Sequence, residues 1–583
     1  MENKRKNLKR TQLINFATIV MLIVIANVIG SYVFTRFDLT SEKRYTLSKT
    51  TKDILKGLED HVFFRVYLEN DTRSDFKKLR REIKEMLDEF RAYSKFIDYE
   101  FLNPNESSDA VERSEVQRVL MEHGLRPTQI VYETNKGRQE QVLFTGALIN
   151  YRDKELPIDF LENDLKSQLG SDAELAINNS IQNLEFRITE AVKKISTNRR
   201  PSIAFIEGHG ELNSNQVYDF TRSLQQSYTV ERIEIGGKIS ALTRRSEPDQ
   251  KGNFKILLNY DAIIIAKPTE MFDEKDKFII DQYIMRGGKV LWLIDPVLAD
   301  MDSLASTEAT VAIDYKLNLD DQLFKYGVRL NKNLVLDMNS AYIPAVSGQV
   351  GGQTQIEFFP WYYFPLLSPA TNHPMVRNID FVKSEFVSSI DSTHTDNIKK
   401  IPLLKTSDRS KVSNIPVYIS ISLLQQKPNP SMFPEKGRNI AYLLSGSFES
   451  LFANRITYDI IGSEEIGFLN ESIPTSMIVV ADGDIARNQF HVPKGYPLPL
   501  GFDQYTRLTY GNKDFLMNAV SYLIEGEGMI NIRSRELKIR LLDRVKVENS
   551  RLAWQIINTI VPFAIVILFG FILAFLRKRH FTK

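Results

Sequence analysis

Four segments place ionisable side chains directly after strongly apolar runs. Glu207, His209 and Glu211 follow SIAFI, Lys267 follows AIIIA, Asp295 follows VLWLI, and Asp482, Asp484 and Arg487 follow SMIVVA. In an open parallel sheet such positions lie at the carboxyl ends of the strands, where helix N-termini present unpaired N–H groups and ligands approach. If their loops converge, Glu207, His209, Asp295, Asp482 and Asp484 form an acid cluster around one histidine, suited to a cation or cationic group, or to acid–base work. The competing reading is structural, because Asp and Gly after a strand also cap the next helix and make the turn.

Other chemistry is excluded by what the sequence lacks. It has no cysteine, which removes disulfides, Cys-ligated zinc, iron–sulfur clusters and any thiol nucleophile. Gly236-Gly237-Lys238 runs into Ile239 and Gly287-Gly288-Lys289 into Val290, so neither is a phosphate-binding P-loop. The seven histidines show no H-E-x-x-H spacing, and Ser445-Gly446-Ser447 is not a nucleophile elbow. No catalytic residue, metal or cofactor is assigned.

The elements that must position the acid cluster follow from apolar periodicity. With 583 residues the chain allows about three to five domains. A hydrophobic share of 43%, a charged share of 25% and a mean hydropathy of -0.24 describe a mostly folded, soluble mass. HVFFRVYL at 61–68 reads as a buried strand. The helix after it carries Phe76, Leu79, Ile83, Met86, Phe90 and Tyr93 on one face. A strand at 96–102, a helical stretch at 111–123 and strands at 129–132 and 141–151 give the order β-α-β-α-β-β over residues 36–165, which resembles a thioredoxin-like domain without redox cysteines. Residues 171–195 read as one helix, with a Ser171/Glu174 capping box. They open an α/β domain over 171–300 of alternating apolar strands and amphipathic helices, expected to form a doubly wound parallel sheet. Residues 301–438 read as a β-rich insertion with loops, 439–529 as the second part of the α/β domain, and 530–551 as a basic stalk.

Two apolar stretches flank this body. Leu13 to Phe34 runs 22 residues without a charge and Leu552 to Leu576 runs 25, each enough for a helix across the ~30 Å hydrocarbon slab. Transmembrane helices are accordingly expected at 12–35 and 552–576, between tails at 1–11 and 577–583. The first exceeds a signal-peptide core and lacks a clean small-residue cleavage site, which favours an uncleaved anchor. Five basic residues in the first tail and four in the last place both termini in the cytoplasm, with the bulk periplasmic at the inner membrane. Basic residues from Arg533 to Arg551 on the outer flank run against this topology, which rests on the first helix. Without its tails the body holds 66 basic and 72 acidic residues, a net charge of −6 that argues against nucleic acid as partner. In the second span Gln555, Asn558, Thr559 and Pro562 share a helix face, a polar stripe suited to docking on another membrane helix.

RFDLTSEKRYTLSKTTKDILKGLED after the first span, the IEGHGE loop, YDAIIIAKPTE with YIMRGGKVLWLIDP, IPLLKTS, VVADGDIARNQ and NKDFLMNAVSYL occur in an order and spacing similar to the GldG family, gliding-motility-associated ABC transporter components of Bacteroidetes. The resemblance spans nearly the whole chain. It implies an auxiliary subunit beside a GldF-like permease, a GldA-like cytoplasmic ATPase and envelope machinery. It also implies a central domain related in fold to class I glutamine amidotransferases and to a domain of intraflagellar transport proteins. Those amidotransferases use a cysteine nucleophile, which this chain lacks. The expected function is therefore a noncatalytic, membrane-anchored extracytoplasmic subunit. The alternatives are a periplasmic solute-binding module and an amidotransferase-like or hydrolytic enzyme.

Overall fold

The computed structural model describes residues 14–25, 46–68, 74–107, 109–134, 137–161, 173–197, 199–248, 254–307, 309–350, 353–425, 429–455, 462–463, 465–533 and 550–581. The chain divides into a unit of Leu47–Arg535 and a second of Met1–Thr46 with Glu536–Lys583. In the second unit, the described part of the expected first span is a short apolar helix, Ile14–Ile25; the remainder of 12–35 lies outside the described residues. The helix Arg551–Phe581 is apolar and exposed through its middle, and among the described residues it alone is long enough to cross a membrane. Most of the basic stalk, with Lys538, Arg540, Arg544 and Lys546, lies outside the described residues.

The larger unit opens with a four-stranded mixed sheet in the order Ile97–Phe101, Val62–Val66, Gly146–Tyr151, Lys154–Asp159. The first pair is parallel and the other two are antiparallel. The helix Ser74–Tyr93 covers it through the stripe read from the sequence: Phe76, Leu79, Ile83, Met86 and Phe90 are buried, and Tyr93 packs at the margin. Two expectations change here. Residues 141–151 are not one strand: Gly137–Phe144 pairs in a separate hairpin with Pro127–Thr134, and the sheet strand starts afresh at Gly146. A Cβ at Gly146 would stand 2.4 Å from the Ile158 carbonyl oxygen, so only glycine lets the strands approach this closely. The helix expected over 171–195 is two, Ala173–Gln182 and Leu184–Ser196, breaking at Asn183; Ser171 lies outside the described residues. Ile177, Ile181, Leu184, Ile188, Val192 and Ile195 all enter the core of this first sheet. These helices therefore belong to the N-terminal module, and the next domain starts near Pro201 rather than at 171.

From Ser202 the chain builds a parallel sheet in the order Thr229–Glu234, Ser202–Glu207, Ala262–Ala266, Val290–Leu293, Thr475–Val480. Alternate residues of these strands fall into two separate cores. Ile203, Phe205, Ile264, Leu291, Leu293 and Ile478 lie on one face, and Ala204, Ile206, Ile263, Val290, Trp292 and Val479 on the other. Burial on both faces is why these strands read as continuous apolar runs. The helix Glu274–Met285 starts as expected at Asp273, whose carboxylate accepts from Asp276 N at 2.7 Å, and is followed by Gly287 at φ 87°.

The sheet then continues antiparallel. Asn439–Gly446 pairs with Thr475–Val480, Ile398–Lys405 with Asn439–Gly446, and Gln353–Pro369 and Ser340–Val350 complete that side. The β-rich segment 301–438 is thus part of the central sheet, to which it gives four strands: Ser340–Val350, Gln353–Pro369, Val382–Lys383 and Ile398–Lys405. It also contributes a core around Leu334, Trp361, Phe364, Phe386 and Ile419. Residues 530–533 are no stalk either. They end the helix Glu527–Arg533, which buries Met529, Ile530 and Ile532, and Arg533 lies over the Phe186 ring.

Candidate functional site

All five parallel strands present their carboxyl ends along one edge of the sheet, in a strand order (second, first, third, fourth, fifth) that reverses between Ser202–Glu207 and Ala262–Ala266. Lys267 leaves its strand at φ 54° and turns its ammonium to Asp295 Oδ2 at 3.1 Å and to Asp484 Oδ2. Gly483 makes room for this: a Cβ there would sit 2.5 Å from Lys267 Cβ. Its N–H donates to Asp295 Oδ1 at 2.5 Å. Asp482 accepts from Asp484 N at 2.8 Å and from Glu385 N at 3.0 Å, which fastens the 383–387 segment to the strand ends.

Burial raises the Asp295 and Asp482 carboxyls above their ordinary range, and the neighbouring carboxylates add to that rise. For Lys267 burial acts downward, but Asp295 and Asp484 outweigh it and hold the amine protonated. An ammonium held in this way is not a free nucleophile or base. Its role is to neutralise buried carboxylates.

Asp295, Asp482 and Asp484 are therefore brought together, joined by Lys267 and, at 3.6 Å from Asp484, Arg487. Glu207 and His209 are engaged elsewhere. Glu207 pairs with Arg232 of the neighbouring strand at 2.5 Å. The His209 ring stacks on Phe272 at 3.7 Å between centroids, with Nε2 3.1 Å from Asp276 and Nδ1 3.3 Å from Glu211. Burial works to lower His209, but the two carboxylates outweigh it and raise it overall. Gln555, Asn558 and Thr559 are exposed on the helix Arg551–Phe581.

Beside the aspartate cluster opens a cavity of about 390 Å³ whose lining includes Asp484, Arg487, Asn488, Lys383, Glu385 and Asp503. The Lys383 ammonium lies 3.2 Å from Asp503 and 3.4 Å from Glu385, and 5.4 Å from the centre of the Phe364 ring. For Asp503 burial acts upward, but Lys383 and the N–H groups of Tyr505 and Thr506 bring it below the usual range. Lys383, Glu385 and Asp503 were missed in the sequence because they follow no long apolar strand; only tertiary pairing brings them to this edge.

The profile of a family described as an ABC-type uncharacterized transport system matches residues 200–519, more than half of the chain. The chain belongs to that family. The match opens within two residues of the parallel sheet's first strand and takes in the antiparallel additions, so the family's unit is the whole central sheet. Residues 41–150 match a domain of unknown function, DUF7088. An uncharacterized protein of Borreliella burgdorferi is 22% identical over 563 residues, 93% of each chain. A solved structure titled mmIFT52 N-terminal domain aligns with 56% of this chain and 97% of its own, at 13% identity and a TM-score of 0.30.

Proposed function

We propose that the chain is a noncatalytic, membrane-anchored extracytoplasmic subunit of an ABC transport complex, working beside a separate permease and ATPase. In the gliding-motility setting suggested by its sequence resemblance, these would be GldF-like and GldA-like. The family match over 200–519 carries this reading. It is supported by the apolar helix Arg551–Arg579, about 44 Å long at 1.5 Å per residue. The two ends of the large unit add to it: the helix Lys49–Lys56 and the helix Glu527–Arg533 pack together so closely that a Cβ on Gly528 would stand 2.4 Å from Thr50 Oγ1. The described start and end of the large unit thus lie side by side. We read the first sheet as thioredoxin-like from its strand order and directions, and the parallel sheet as amidotransferase-like. Without a thiol, each serves as a scaffold.

Affinity purification of the tagged full chain in mild detergent tests this function. A polytopic membrane protein and an ATPase should co-elute, and recovery of the chain as a lone monomer would overturn the proposal. Reporter fusions at Lys583 and in the exposed loop at His394 test the topology. Cytoplasmic signal from the loop would reverse the orientation.

A further inference from the structure

We propose that the cavity beside the sheet's carboxyl edge receives a basic side chain, arginine or lysine, carried on an extended segment of a partner protein. This inference rests on the cavity itself and stands apart from the transport reading. The lining includes four carboxylates, Asp302, Glu385, Asp484 and Asp503, against two cations, Lys383 and Arg487; with Lys267 paired to Asp484 from behind the wall, the surplus is one negative charge. The Lys383 ammonium is committed to Asp503 and Glu385, and Arg487 approaches Asp484 only at 3.6 Å.

Two shielded acceptors lack a hydrogen-bond donor: Asp484 Oδ1 and Asn488 Oδ1. Asn488 is 2% exposed, and its amide N–H₂ is spent on the Leu498 carbonyl, so the oxygen is the atom left over. A buried acceptor without a donor is costly, because it has given up water and gained no partner. An entering ammonium or guanidinium supplies donors and only donors. Tyr342, Phe490 and Tyr505 add ring surface to the walls, which favours a cation over a neutral polar group.

The same cavity is bounded by Tyr342, Ile343 and Pro344 of Ser340–Val350, the outermost strand of the central sheet. One side of that strand pairs with Gln353–Pro369, and among the described residues no strand pairs with the other. An open edge next to an acidic, aromatic pocket matches strand addition, in which the main chain supplies affinity and a side-chain pocket supplies selectivity.

The test uses the full chain in detergent and three probes: a capped heptapeptide with one central arginine among serines and threonines, its glutamine counterpart, and N-acetylarginine amide. Isothermal titration should show the arginine peptide binding at least ten-fold tighter than either of the others, and more weakly as salt is raised. Glu385→Gln should weaken it at least five-fold. Asp302→Asn, at an exposed site, should weaken it about two-fold and decides the matter if the first variant fails to fold. Equal binding of the arginine and glutamine peptides would overturn the proposal. So would equal binding of the arginine peptide and N-acetylarginine amide, or an unchanged affinity in the folded variants.

Discussion

Replacing Lys267 by Met keeps an unbranched side chain of similar length and deletes the charge that neutralises Asp295 and Asp484. The Lys267 stem is packed against Gly483, and Asp295 and Asp484 are almost wholly shielded, so water cannot take over the lost role. Removing one partner of a buried ion pair destabilises by about 3–5 kcal/mol, which for a body of this size lowers the melting temperature by roughly 3–5 °C. The loss must also depend on pH. Without the ammonium, the folded-state pKa values of Asp295 and Asp482, already raised by burial, rise further. A carboxyl raised in the fold binds its proton more tightly folded than unfolded, so stability falls as pH increases from about 4 through the folded value. The variant should therefore lie near wild type at about pH 4.5 and far below it at pH 7.5. Thermal melts of the detergent-solubilised chain across that range check both statements. Adding Asp484→Asn to Lys267→Met should recover part of the loss. A deficit under about 1 kcal/mol, or one that stays flat with pH, would refute the view that Lys267 is an internal counter-ion.

Gly483→Ala acts on the same cluster by size alone: the backbone there, at φ −82°, tolerates alanine, but the new methyl meets the Lys267 stem at 2.5–2.9 Å, so a loss of about 1–3 kcal/mol is expected in melting curves. Asp281 accepts from Ser450 Oγ at 2.6 Å, Tyr326 OH at 2.8 Å, Leu451 N at 2.9 Å and Gln282 Nε2 at 3.1 Å. Asp281→Asn turns an N–H₂ toward donors and should destabilise by about 2–4 kcal/mol, with the 448–452 segment losing hydrogen-exchange protection first. His209, raised above its ordinary 6.5 by Glu211 and Asp276 against the effect of burial, contributes stability that is complete below about pH 6.5 and disappears as pH climbs through the folded value. Wild-type melts from pH 6 to 8.5 should accordingly fall relative to His209→Gln, and parallel curves would contradict the assignment.

The parallel strands were legible because burial on both faces leaves a signal that needs no partner: IAFI, AIIIA and VLWL are apolar throughout. Of the antiparallel half, Asn439–Gly446 was legible in the same way, as the apolar run IAYLL that rejoins the sheet, and its further neighbours were not. Ile398–Lys405 shows its neighbour only two consecutive fully buried side chains, Leu403 and Leu404, and Gln353–Pro369 runs from polar to aromatic along its length. Pairing between 398–405 and 439–446 is set by main-chain bonds across more than thirty intervening residues, two strands of other sheets among them, which no local pattern encodes. The aspartates after the strands were legible as a group for the same reason as the strands. His209 was not separable from them, because its partner Asp276 also belongs to a helix-cap pattern and the stack on Phe272 is a tertiary event. Lys383 and Asp503 lie 120 residues apart and meet only because Asp482 and Asn512 hold the backbone at 383–385 in place.

The seam between the N-terminal module and the central sheet follows from where the body's chain ends. Glu527–Arg533 packs against Lys49–Lys56 and Leu184–Ser196 on one side and against the helix Asn512–Glu525 on the other. Ile530 enters the central core while Arg533 lies over Phe186 of the N-terminal module and faces Asp514 at 3.6 Å. The helix Glu527–Arg533 is therefore a wedge shared by both modules. A displacement of that wedge acts, through Asn512–Glu525, on the strands whose carboxyl ends carry the aspartate cluster. Coupling of this kind needs two packed arrangements of the wedge rather than a moving reactive group. Cross-linking residue 50 to residue 528 through introduced cysteines would lock one of them. If the subunit relays motion through this seam, the locked chain should still assemble with its partners yet lose nucleotide-dependent changes in accessibility at Lys383 and Arg487; unchanged accessibility in the locked chain would show that the seam is static.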